Sequence, residues 1–171
     1  MNTAKEYVQL LADSFLVYIL EFLNRGKGKA QAQKNRKIYP FDPFLFSVFA
    51  QIAGMVMDSA FQPKIIEGIV GSHLLRHFHA DLHEGFASLP SLYYWQSTKG
   101  NEVDFVVLAE DQARTRCEIP VEVKDKTVLA PADFLTLKKS FTNGLVLTKE
   151  TFFKNGEIVG LPAACFLYCL S

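Results

Sequence analysis

Two stretches of alternating side chains, joined by a polar turn, constrain this chain more than any other feature. In Glu102 to Leu108, Val103, Phe105 and Val107 share one parity and leave Asp104 with Val106 on the other. In Cys117 to Lys124, Ile119, Val121 and Val123 alternate with Glu122 and Lys124. A period of two is the mark of a β-strand, whose successive side chains face opposite ways. The polar run Glu110 to Arg116 can turn one strand back on the other as a hairpin. Paired in that way, Asp104 lies beside Glu122, and two carboxylates and an ammonium share one patch of sheet.

The flanking pattern predicts an α/β domain over residues 61–171. Ile65, Ile66, Ile69, Val70, Leu74 and Leu75 recur at helical spacing from Pro63 to about His79. A loop with Gly85 and Pro90, a strand from Leu92 to Gln96 and a turn at Lys99-Gly100-Asn101 lead into the first alternating stretch. Beyond the second, Pro131 to Ser140 reads as a helix, Gly144 to Thr148 as a strand, and Ala163 to Leu170 as a helix or strand. Residues 1–60 read as an accessory lobe of helices and short strands. Thr3 and Glu6 form a capping box that opens a helix through Ala12. Phe15 to Leu23 and Lys37 to Phe41 read as strands around a loop from Asn24 to Arg36. Asp42-Pro43 starts an apolar helix that ends near Met57.

Composition bounds the function. Apolar residues make up 49% and aromatic residues 13%, enough for a packed core rather than disorder. Eighteen basic residues balance eighteen acidic ones, which argues against strong non-specific DNA binding by the whole surface. Six of the cations, Arg25, Lys27, Lys29, Lys34, Arg36 and Lys37, fall together with no acid among them. That segment either grips a phosphate backbone through counterion release or is a solvated loop. Cys117, Cys165 and Cys169 form no paired framework, so reduced thiols in a cytoplasmic protein are expected, with Cys165 and Cys169 on one apolar helix face. Asp13 and Glu21 interrupt the first apolar stretch, so no signal peptide is expected, and Phe44 to Met57 is too short to span a bilayer. His73 with His77, and His79 with His83, have the four-residue spacing of helix-borne zinc ligands, but the two pairs point apart and surface histidines are expected. Phe41, Phe44, Phe46 and Phe49 read as core or as an interface with a neighbouring domain, and Trp95 as a core anchor.

The acidic patch has a physical use. Two neighbouring carboxylates repel, and a hard cation such as Mg²⁺ or Mn²⁺ relieves that repulsion through oxygen ligands while keeping some of its waters. Such a cation acidifies a bound water and stabilises charge developing on a phosphate. Nearby carboxylates keep Lys124 charged, so positioning a water suits it better than acting as a base.

Asp104 followed by Glu122-Val123-Lys124 resembles the PD-(D/E)XK nuclease pattern. More narrowly, the chain resembles the DUF4143 domain found at the C-terminus of prokaryotic AAA-type ATPases. The matching stretches are Leu10 to Val17, Lys37-Ile38-Tyr39 with Asp42, Glu67 with Val70 and Leu74, Tyr93-Tyr94-Trp95, Gly100 to Val107, and Ile119 to Lys124. The resemblance implies a restriction-endonuclease-like, three-layer fold around a mixed sheet. It also implies a divalent metal held by Glu67, Asp104, Glu122 and the Val123 carbonyl, with Lys124 placing the attacking water. DNA is the implied substrate, and an ATPase module is the implied partner, in cis or in trans; a homo-oligomer is left open. The chain departs from the pattern at Gln96, where such sequences usually carry arginine. It also has no Gly-x-x-x-x-Gly-Lys-[Ser/Thr] loop, so no ATP site is expected in this chain. A catalytically silent domain that binds nucleic acid or protein for an ATPase is the second reading, because sites rather than folds carry function.

Overall fold

The structure, a computed structural model, describes residues 3–31, 34–79, 92–110 and 115–170, without the side chains of 79 and 110. The loop expected around Gly85 and Pro90, and His83, lie outside the described residues. Helix α1 (Thr3–Asp13) is followed by strands β1 (Val17–Asn24), β2 (Lys29–Ala30) and β3 (Lys37–Pro40). Helices α2 (Phe44–Ile52) and α3 (Gln62–His79) come next, then strands β4 (Leu92–Gln96), β5 (Glu102–Glu110) and β6 (Arg116–Val123). A 3-10 turn (Pro131–Phe134) leads into α4 (Leu135–Ser140), and β7 (Gly144–Thr148), β8 (Phe153–Asn155), β9 (Ile158–Pro162) and α5 (Ala163–Leu170) complete the described chain. The α/β class expected from the sequence is what the molecule shows: among the described residues, a mixed nine-stranded sheet flanked by five helices.

The sheet runs in the order β2-β1-β4-β5-β6-β7-β9-β8, with β3 paired to β1. Pairs β4–β5, β5–β6 and β8–β9 are antiparallel, whereas β1–β4, β6–β7 and β7–β9 are parallel. Strands β1 to β3, drawn from residues 1–60, therefore belong to the same sheet as the rest. Their side chains also share its core, since Tyr18, Leu20 and Tyr39 pack with Val70, Leu74, Phe105 and Val121. On that face lie α3, α5 and Phe46 of α2; on the other, Phe134, Leu137 and Phe141 cover Val103, Val106, Leu108 and Val146. Burial of these two apolar sets on opposite sides of one sheet makes three layers.

Two residues of α3 lack a side chain and leave room for neighbouring aromatic rings. A Cβ on Gly68 would sit 2.8 Å from Phe46, and one on Gly71 would sit 2.7 Å from Phe105. Those distances are below real Cβ contacts, so Gly68 accommodates the Phe46 ring of α2 and Gly71 the Phe105 ring of β5. Glu67, beside Gly68, meets Lys37 and Tyr39 of β3.

Several boundaries differ from the sequence expectation. Phe15 does not start a strand but leaves α1 in a left-handed conformation (φ 56°), with the Leu16 N–H donating to the Leu11 carbonyl, and β1 begins at Val17. The expected 24–36 loop contains β2, paired to Leu23 and Asn24 of β1. Helix α2 stops at Ile52 rather than near Met57, because Gly54 adopts a left-handed conformation and Met55 N–H turns back to the Ala50 carbonyl. The final segment is helix α5, but Cys165 and Cys169 are exposed while Phe166, Leu167 and Leu170 pack inward, so the apolar face is not the cysteine face. Among the described residues no helix is long and apolar enough to cross a membrane.

Candidate functional site

Strands β5 and β6 pair as the alternation predicts, with Phe105 opposite Val121 at the end of the ladder and Asp104 and Glu122 next in line. A bulge then alters the aim of Asp104. Tyr93 of β4 faces Val106 and Trp95 faces Val103, so the two residues Asp104 and Phe105 stand opposite Tyr94 alone. Val103 therefore packs with Val106 rather than with Phe105 and Val107, contrary to simple alternation. Asp104 turns toward α3, where its Oδ1 lies 3.6 Å from Lys37 Nζ. Its Oδ2 accepts a hydrogen bond from the Val123 N–H at 2.9 Å, so side chain replaces backbone where the ladder stops.

Lys37 stands at the centre of the α3-facing acids. Its Nζ is 3.0 Å from Glu67 Oε1 and 2.6 Å from Glu102 Oε1, and the side chain is 15% exposed. Strand β3 puts Lys37 and Tyr39 on one face, two residues apart. The Tyr39 hydroxyl donates to Glu67 Oε1, and Lys64 Nζ donates to Glu67 Oε2 at 2.7 Å. Tyr18 stacks on Tyr39 with ring centroids 5.2 Å apart and donates to the Gly68 carbonyl. Glu67, though buried, is thus ringed by donors. Burial works to raise its pKa, but the Lys37 charge and the donors of Lys64 and Tyr39 outweigh it and the net shift is downward. Burial and the Glu67 charge push the Tyr39 hydroxyl up, so it remains a donor. Burial opposes the Lys37 charge, but Glu67, Asp104 and Glu102 prevail and raise its pKa.

Asp104 and Glu122 have the opposite balance. Burial, then the Glu67 charge, pushes Asp104 up to about 6 against the pull of Lys37 and the Val123 N–H. Burial, then the Asp104 charge, pushes Glu122 up to about 7 against Lys124. Strand phase sets Glu122 and Lys124 alternate to Val121 and Val123, and Lys124 Nζ lies 2.6 Å from Glu122 Oε1. Glu122 Oε2 is buried with no hydrogen-bond partner. An ionised oxygen in that position carries a desolvation cost that the charges of Lys124 and Lys37 offset only in part. Burial also works against the Lys124 charge, yet Glu122 and Asp104 raise its pKa overall, which makes it a donor rather than a base.

The structure puts Asp104 and Glu122 just past the same end of the β5–β6 ladder, near enough for the Asp104 charge to act on Glu122, pairs Lys124 with Glu122, and sets Lys37 between Glu67 and Asp104. Among the described residues no group of three His, Cys, Asp or Glu side chains is drawn together as a metal cluster. The donors that suit a divalent ion are the Asp104 and Glu122 carboxylates. They are hard oxygen ligands, the Asp104 charge disfavours that of Glu122, and one Glu122 oxygen is unpartnered among the described residues. Glu67 is already saturated by three donors, and Val123 contributes its N–H to Asp104.

The six clustered cations have separate destinations. Arg25 pairs with Glu118 at 2.7 Å and lies 4.1 Å over the Phe141 ring, Arg36 pairs with Glu21, and Lys34 sits over Phe22. Lys37 is in the acid cluster, while Lys27 and Lys29 are exposed. The sequence pattern groups Lys37 with the basic segment and does not mark Glu102 or Tyr39 as site residues. The parity of Lys37 and Tyr39 in a short strand was the signal that could have found two of them. Gln96 Nε2 donates to the Gly100 carbonyl in the β4–β5 turn. Trp95 packs edge-on against Phe141, as a core anchor would. His77 Nδ1 lies 3.3 Å from the Leu170 carbonyl oxygen. Phe41 and Phe46 join the core, whereas Phe44 is exposed.

A family model described as a domain of unknown function (DUF4143) matches residues 63–166, more than half of the chain and the span from α3 to α5. No curated protein and no solved structure matches the chain.

Proposed function

The chain belongs to the DUF4143 family, and from that premise we propose that it is a divalent-metal-dependent, nuclease-like domain of PD-(D/E)XK type acting on a DNA phosphodiester. The observation that carries this reading is Glu122: 5% exposed, with Oε2 unpartnered, and beside a second raised-pKa carboxylate in Asp104. Two such acids are costly to keep ionised unless a cation joins them. Asp104 and Glu122 would hold Mg²⁺ or Mn²⁺. When bound, such an ion supplies an acidified water and neutralises charge on the phosphate.

The chain's own residues divide the remaining work. Lys124, held protonated against Glu122 Oε1, keeps that carboxylate oriented and offers its remaining N–H groups to a water or phosphate oxygen. The Val123 N–H fixes the rotamer of Asp104. Glu67 tunes Asp104 through its charge rather than by contact with the ion. An ATPase module, in cis or in trans, is the partner that fits a domain without its own ATP loop.

The test is calorimetric titration of the chain with Mn²⁺ and Mg²⁺ beside Asp104→Ala and Glu122→Ala, with cleavage assays on duplex and single-stranded DNA. Binding by the native chain, lost in both variants, is expected, together with metal-dependent cleavage. A second reading, a silent domain that docks a protein, is favoured by the exposed Phe44, Ile52, Met55 and Val56 along and after α2. Metal-independent binding of an ATPase partner without cleavage would select it.

A further inference from the structure

We infer that Lys37 is the positioning residue of the acid cluster, its ammonium being the resident cation with which a divalent ion competes for Asp104. This rests on the metal-site reading above and adds to it a residue that sets how readily the ion is taken up. Lys37 is the meeting point of carboxylates from two elements, Glu67 of α3 and Glu102 and Asp104 of β5. Its ammonium also lies 5.4 Å from the Tyr94 ring and 6.0 Å from the Tyr39 ring, whose faces favour a cation. Among the described residues no ion pair or hydrogen bond links it to Glu122, whose ammonium partner is Lys124, and the Lys37 charge reaches Glu122 only as the weakest of the influences on its acidity.

The distances grade its three contacts. Glu102 at 2.6 Å and Glu67 at 3.0 Å are held as hydrogen-bonded pairs, and Asp104 at 3.6 Å is the loosest. Asp104 is therefore the acid Lys37 can release at least cost. A divalent ion on Asp104 and Glu122 takes over the neutralisation that Lys37 gives Asp104, leaving the lysine on Glu67 and Glu102. Lys37 then acts as a brake on metal uptake and as the support that keeps the cluster folded without metal. Two elements meet at this one charge, so its loss is felt in the packing of α3 against β5 and β3.

The experiment compares thermal unfolding of the native chain, Lys37→Met and Lys37→Arg, with and without millimolar Mn²⁺, alongside Mn²⁺ titration calorimetry. Without metal, Lys37→Met is expected to melt roughly 10 °C below the native chain, and Lys37→Arg within a few degrees of it. Mn²⁺ should restore more than half of the Lys37→Met loss, and should bind that variant about tenfold more tightly than the native chain. An equal Mn²⁺ response in native and Lys37→Met overturns the inference. If Lys37→Met does not fold, the lysine ammonium NMR signal of the native chain decides: a shift of the Lys37 signal on adding Mg²⁺ supports the inference, and an unmoved signal overturns it. Cleavage assays separate the two readings. Mn²⁺ rescue of Lys37→Met in a chain that cuts no DNA keeps the Lys37 role and discards the nuclease. Cleavage by the native chain with no Mn²⁺ advantage in Lys37→Met does the reverse.

Discussion

Glu67 and Glu122 are buried to the same degree, 5% exposed each, yet their environments drive their acidities in opposite directions. Glu67 receives hydrogen bonds from Tyr39, Lys37 and Lys64 and is held ionised. Glu122 has one ammonium on one oxygen, none on the other, and Asp104 alongside. Burial penalises the charge on both, so the number and sign of partners decide the outcome. One acid is clamped by donors from β3 and α3. The other keeps one oxygen without a partner among the described residues.

The sharpest way to break that contrast is to remove the clamp. Glu67→Ala leaves the Tyr39 hydroxyl without its acceptor in the core and takes a carboxylate from Lys37, which retains Glu102 and Asp104. The expected loss is about 3 kcal/mol in chemical denaturation, from an unsatisfied buried donor and a broken buried pair. The Asp104 carboxyl should become more acidic in that variant, because the Glu67 charge is one of the influences that raises it. A loss below about 1 kcal/mol would mean that Glu67 is not the clamp described.

Removing the charge of Glu122 should have the opposite sign. Its pKa is raised to about 7 in the folded chain from 4.5, so the native state binds more protons than the unfolded one between those values. Stability in the absence of metal is then fully present below about pH 4.5 and falls as pH rises through 7. Glu67, shifted downward, contributes stability above its ordinary range that is lost on acidification, so the two acids slope in opposite directions. Glu122→Gln should leave stability unchanged near pH 5. At pH 8 it should raise stability by on the order of 1–2 kcal/mol, with a flatter profile between. A native profile already flat from pH 5 to 8 would remove the case for an undercompensated acid.

The contrast also explains what the sequence disclosed. Alternation in β5 and β6 exposed Asp104, Glu122 and Lys124, because period-two patterning survives in strands that stay paired. The same rule misplaced Val103, since a one-residue bulge opposite Tyr94 reverses parity and leaves no mark in hydrophobicity. Lys37 was legible only as charge: that its partners lie on α3 and β5 depends on β3 joining β1 across the sheet. The sequence pattern does not mark strands β8 and β9, although the two-residue turn Gly156-Glu157 between them starts on a glycine, as hairpin turns often do. Three-residue β8 offers too little alternation for periodicity to register. The role of Gly68 and Gly71 was hidden too, because they read as weak points in a helix until the Phe46 and Phe105 rings packed on them are known.

The donors around Glu67 are unequal, and the smallest expected effect tests whether the clamp is built by burial or by count. Lys64 reaches Glu67 Oε2 at 2.7 Å, closer than the 3.0 Å of Lys37 to Oε1. By distance alone Lys64 would be the stronger partner. Its side chain, however, is 62% exposed, against 15% for Lys37. Water screens the charge of an exposed ammonium, and fixing a long side chain carries an entropy cost, so such pairs contribute about 0.5 kcal/mol or less. Lys64→Ala should therefore lower stability by no more than that, with the loss fading further at high salt as the screening length shortens. A loss from Lys64→Ala as large as that from Lys37→Met would show that the number of donors, rather than their shelter from water, holds Glu67 ionised.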